Sequence, residues 1–112
     1  MKKRNVPAPM RTKKSIRKLP TVGIAWYTEQ NWVRVRATAR DPDRFESTFD
    51  EWIKMAERAL VDFRKAGINA IKVMVDADDF ALWCAKHTKE NDATARPEFV
   101  SAQVRREHET ND

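Results

Sequence analysis

Three small groups of residues carry side chains that could do chemistry. Asp76, Asp78 and Asp79 are carboxylates spaced closely enough to hold a divalent cation or to move a proton. An EF-hand loop also needs a glycine and a later glutamate at fixed offsets, and both are missing. Acids at a helix N-terminus each contribute roughly 0.3–1 kcal/mol of stability. Capping is therefore the better reading, and no metal is assigned. Cys84 and His87 stand one helical turn apart, a spacing that suits two zinc ligands or a thiol and its base. A structural zinc site needs two further ligands, and the only other histidine is His108 near the chain end. Both residues fall on the helical face of Phe80 and Trp83, which points to burial. A thiol in apolar surroundings carries little thiolate, so neither residue is assigned a catalytic role.

The third group is Trp26 and Tyr27. They end an apolar run at the start of a helix, where the rim of a ligand pocket commonly forms, and each offers a polar tip. This pair is the candidate small-molecule site. The other tryptophans, Trp32, Trp52 and Trp83, lie on apolar helical faces and read as core. With only Gly23 and Gly67 in the chain, no glycine-rich phosphate cradle can form. Ser15, Ser47 and Ser101 have no histidine near them in sequence. Enzymatic activity is the minority reading, and no cofactor is implied.

Charge is distributed unevenly. The 112 residues carry a net charge of +5. Lys2, Lys3, Arg4, Arg11, Lys13, Lys14, Arg17 and Lys18 account for eight of the 22 basic side chains. That leaves 14 against all 17 acids in the other 92 residues, a net of −3. The basic segment also contains Pro7 and Pro9 and few large apolar groups, a composition that cannot offset the entropy of ordering it. Residues 1–19 therefore read as a disordered basic tail, residues 20–107 as a single domain, and residues 108–112 as a frayed end. No apolar run approaches the roughly 18 residues of a membrane span. The N-terminus lacks the apolar stretch of a secretory signal, and Met10 offers an alternative start. A single cysteine excludes an internal disulfide and suits the cytoplasm.

The elements that must position these groups follow from spacing. Thr21–Tyr27 is short, apolar and partly β-branched, a buried strand. Thr28 can cap a helix with Trp32, Val35 and Ala39 on one face, stopped by Asp41-Pro42. Phe49, Trp52, Ile53, Ala56, Leu60 and Phe63 then form a continuous stripe on a long helix. Thr48 and Glu51 have capping-box spacing, with Ser47 as an alternative cap, and Gly67 ends the helix. Ile68–Val75 reads as a second strand, with Ile71, Val73 and Val75 on one face and Lys72 and Met74 on the other. Asp76 or Asp78 caps a third helix. A last helix runs through Phe99, Val100 and Val104, with Thr94 as cap so that Pro97 sits in its first turn. The class is α/β (α+β) and helix-rich, in the order β-α-α-β-α-α, with two short strands packed against four helices. If every element reverses direction the strands are antiparallel, whereas one long crossover would make them parallel.

The combination Ile24-Ala25-Trp26-Tyr27-Thr28, Trp32, Asp41-Pro42, Thr48-Phe49-x-x-Trp52, Ala56-Glu57, Ala66-Gly67, Asp76 and Trp83-Cys84 resembles a family of small uncharacterised bacterial proteins. The resemblance spans about residues 20–104 and omits the basic tail. It implies a bacterial, cytoplasmic, stand-alone domain, and it transfers no activity and no functional residue.

Two function classes stand ahead of an enzyme. The folded domain could bind a protein or a second copy of itself, since a two-stranded sheet leaves open edges and small domains gain stability by association. Alternatively, the eight basic residues of the tail could neutralise nucleic-acid phosphates without reading sequence. The tail has no aromatic residue for base stacking, and the acidic body would partly repel nucleic acid. Protein interaction is the favoured class. Deleting residues 1–18 should leave the thermal midpoint unchanged. If the tail does bind duplex, the same deletion should abolish binding. The full chain should then show a log–log salt slope of up to about −7.

Overall fold

The computed structural model of the protein describes the backbone of residues 21–111 and the side chains of residues 21–107. The expected disorder of residues 1–19, and the side chains of the expected frayed end, lie outside the described residues. Strands β1 (Thr21–Trp26) and β2 (Asn69–Met74) pair in parallel, from Thr21 opposite Asn69 to Trp26 opposite Met74. Four helices accompany them: α1 (Glu29–Ala37), α2 (Phe49–Lys65), α3 (Ala77–Lys86) and α4 (Ala95–Asn111). The class is α+β in the expected order.

The parallel pairing decides between the two arrangements that spacing left open. It arises because α1 does not run back along the sheet. It packs against α2 and α3, so only α2 reverses the chain between the strands. A connection of a dozen residues or more is what a parallel pair requires, and residues 27–68 supply it.

Local chemistry accounts for the helix ends. The Thr28 hydroxyl accepts from the Asn31 N–H at 3.2 Å, and that of Thr48 accepts from the Glu51 N–H at 3.1 Å. Thr48, not Ser47, is thus the cap of α2. Helix α1 ends at Ala37, earlier than the Asp41-Pro42 stop suggested. The amide of Asn91 donates to the Val35 carbonyl at 2.7 Å, and the Thr38 hydroxyl bonds the same turn. These groups satisfy carbonyls that another helical turn would otherwise take. Ala39 therefore falls outside the helix, and Pro42 starts a single 3-10 turn through Arg44. At the end of α2, Gly67 has a φ of 85°. There the N–H of Ile68 bonds the Phe63 carbonyl and that of Gly67 bonds the Arg64 carbonyl, the paired closure of a Schellman motif. The Asp92 carboxylate, not Thr94, caps α4, accepting from the N–H groups of Thr94 and Ala95 at 3.0 and 2.8 Å. A charged acceptor makes the stronger bond at a helix start, and Pro97 still falls in the first turn.

The long helix buries Trp52, Ala56 and Leu60, with Phe49 and Ile53 half-buried. Phe63, which the stripe includes, is 36% exposed. A helix of 17 residues is about 25 Å long, whereas strands of six residues cover roughly 20 Å. Its last turn outruns the sheet. On the face bearing Val73, α4 approaches β1 closely. A Cβ built at Gly23 would lie 2.7 Å from Val104, 2.8 Å from Val100 and 3.0 Å from Val73, so only glycine admits the helix there. Of the tryptophans, Trp26, Trp32 and Trp52 are buried, and Trp83 is half-buried between Phe80 and Phe99.

Trp52→Ala should cost about 3–5 kcal/mol in urea denaturation, because it removes the ring that joins β1 to α2. Glu57→Ala and Asp62→Ala, on the exposed side, should stay within about 0.5 kcal/mol. Equal costs at all three positions would show that the buried face of α2 lies elsewhere.

Candidate functional site

The residues with candidate chemistry do not gather in one place. The Asp76 carboxylate caps α3, accepting from the Asp79 N–H at 2.9 Å. Asp78 pairs with Arg34, which holds its carboxyl below the ordinary range. Among the described residues, no three His, Cys, Asp or Glu side chains are placed to hold a metal ion. Cys84 is buried, and burial pushes its thiol up, followed by the charge of Asp92. His87 departs from the expectation of burial. It is the residue that closes α3, is exposed, and packs beside the Trp83 ring at 4.8 Å. A helix end reaches past the layer that covers its middle, so a shared stripe does not guarantee shared burial.

Lys2, Lys3, Arg4, Arg11, Lys13, Lys14, Arg17 and Lys18 lie outside the described residues. Of the arginines on the first helix and just beyond it, Arg34 pairs with Asp78 and Arg40 with Glu90. Arg36 lies over the Trp32 ring, where its Nε and the indole N–H are both buried without an acceptor.

Trp26 and Tyr27 part company at the end of β1. The Trp26 ring is covered by the Lys72 ammonium at 4.4 Å and meets Trp52 edge-on at 5.5 Å. Tyr27 also meets Trp52 edge-on, at 5.2 Å, and faces a hollow of about 240 Å³. Phe45, Trp52, Met55 and Val100 give the hollow its apolar wall. Arg44, Glu46 and Arg96 give it charge. Tyr27 is 6% exposed, its hydroxyl bonds no other group among the described residues, and burial raises its pKa against the opposing charge of Arg96. Arg96 is tied down. It grips Asp41 through two bonds of 2.9 and 3.0 Å, donates to the Asn91 side-chain oxygen at 2.9 Å, and lies 4.6 Å over the Phe45 ring.

A larger groove of about 1330 Å³ runs between α3 and α4. The ion pair of Lys89 with Glu98 stands on its wall, and the Trp83 and Phe99 rings floor it.

The outer edge of β2 is the second distinctive feature. The N–H of Val75 bonds back to Trp26, whereas the carbonyl of Ala70 accepts from the Arg64 guanidinium on the other side. Backbone groups alternate sides along a strand, so Lys72 and Met74 turn theirs outward. Among the described residues nothing hydrogen-bonds to them there. Met74 is 56% exposed beside this edge.

The chain matches no protein-family model, no curated protein and no solved structure. Sequence reasoning singled out Tyr27 but not Arg44, Glu46 and Arg96, which line the same hollow. No periodicity or motif marks them, because two come from the loop before α2 and one from the start of α4.

Asp41 holds Arg96 in place, and the hydrogen bond from Arg96 lowers its carboxyl pKa. A lowered native pKa adds stability that is complete above the unfolded value of about 3.9 and fades as pH falls through the native one. Asp41→Asn should therefore lower the urea midpoint at neutral pH and flatten its decline below about pH 4. Parallel pH profiles for the two proteins would remove Asp41 from the acid response.

Proposed function

We propose that this domain is a protein-interaction module whose partner is a second copy of itself, joined through the outer edge of β2. The observation that carries this reading is the unpaired backbone of Lys72 and Met74 next to an exposed apolar side chain. An edge strand with free N–H and C=O groups is a template for another strand.

The sequence around Val73 suits a two-fold partner. In an antiparallel pair centred on Val73, Lys72 of one chain lies opposite Met74 of the other, and both exchange their outward backbone bonds. No lysine then faces a lysine, an arrangement that would be destabilising. The Lys72 charge is already engaged by the Trp26 ring, which leaves its methylene stem to pack on the partner's methionine. The edge is short, because Arg64 occupies the carbonyl of Ala70, so the contact is closed and self-limiting. Among the described residues no helix is long and apolar enough to cross a membrane.

Light scattering coupled to gel filtration should find a concentration-dependent dimer. Met74→Lys should weaken it by setting lysine opposite lysine, and more so at low salt. The double variant Lys72→Glu/Met74→Lys should restore it through opposite charges. A chain that stays monomeric at millimolar concentration, or a dimer indifferent to both variants, would overturn the proposal.

A further inference from the structure

The hollow at the end of β1 combines three polar side chains that pair with no other side chain among the described residues. The Tyr27 side chain is nine-tenths buried, and among the described residues its hydroxyl has no hydrogen-bond partner. The hydroxyl oxygen itself is not sealed from solvent, so it is open to a group that enters the hollow. Arg44 and Glu46 flank the hollow with opposite charges, and among the described residues neither forms an ion pair or side-chain hydrogen bond. Glu46 is half-buried and Arg44 exposed, so both stand at the rim of the hollow. The fourth polar group, Arg96, is excluded from binding by its grip on Asp41 and Asn91. Its planar group instead fixes Phe45 as one side of the hollow.

We infer that this hollow is a binding site for a small zwitterion with an apolar body, of the class of the apolar α-amino acids. Such a ligand carries one carboxylate for Arg44 and the Tyr27 hydroxyl, and one ammonium for Glu46. Its side chain enters among Phe45, Trp52 and Val100. A simple anion would leave Glu46 unpaired and repelled, and a simple cation would do the same to Arg44. A ligand without an apolar body would leave the aromatic wall wet. The volume of about 240 Å³ falls just below the range of drug-sized pockets and suits a ligand of amino-acid size. The site is independent of the β2 edge and does not rest on self-association.

The test uses the full chain and four probes: L-phenylalanine, phenylacetate, phenethylamine and glycine, followed by calorimetry and amide chemical-shift mapping. L-Phenylalanine should bind and shift the amides of residues 44–46 and of Tyr27. Each of the other three should bind about tenfold more weakly or worse, since each loses one charge-assisted contact or the apolar one. Glu46→Gln should erase the preference over phenylacetate, and Arg44→Gln the preference over phenethylamine. Tyr27→Phe keeps the buried ring and should weaken L-phenylalanine and phenylacetate alike while leaving phenethylamine unchanged. Both variants at the rim, Arg44→Gln and Glu46→Gln, should leave the thermal midpoint unchanged, which separates lost binding from lost folding. Equal binding of all aromatic probes would mark a merely apolar hollow and overturn the inference. So would the absence of any shift around Tyr27 with L-phenylalanine.

Discussion

The aromatic contact of Trp52 with the end of β1 is the joint on which the rest of the structure depends. Its ring meets Trp26 and Tyr27 edge-on and Phe49 at a tilt. Phe49 then meets Trp32, and Trp32 meets Phe45. Edge-to-face pairs of this kind add about 0.5–1.5 kcal/mol each beyond the area they bury. The chain of rings fastens the sheet to α2, α2 to α1, and α1 to the loop that carries Arg44 and Glu46. Arg96 closes the circuit, because it lies over Phe45 while it grips Asp41. Through it the loop is bound to α4, which sits directly on Gly23 of β1.

This circuit explains why the hollow and the open edge lie on different strands. β1 lies beneath α4 and beside the aromatic joint, so its end becomes the floor of an open hollow. β2 is held at its start by Arg64 and at its close by the bond from Val75 to Trp26. Between those points its outward backbone is left uncovered. A parallel pair is ordinarily covered on both faces, and here the faces are covered better than the edge.

Capping was legible in the sequence because it depends on a few neighbouring atoms. Thr28, Thr48 and Asp76 each accept from the N–H three residues later, and Gly67 supplies the left-handed turn. The central burial of α2 at Trp52, Ala56 and Leu60 was legible from its period. The ends of elements were less so. Phe63 and His87 each continue a pattern past the point where a neighbouring layer stops covering it, and Ala39 lies beyond a helix end that Asn91 and Thr38 set earlier.

By itself, then, the sequence determined the order and class of the elements, most of their caps and the central buried stripe, since these arise from contacts within a few residues. Tertiary structure alone decided the parallel pairing, because whether α1 lies on the sheet or beside it depends on its packing against α2 and α3. It alone also brought Arg44, Glu46 and Arg96 around Tyr27, and left the backbone of Lys72 and Met74 open. Those placements join residues some 20 to 70 positions apart, and no local spacing encodes a contact between side chains whose elements meet only after the core has closed.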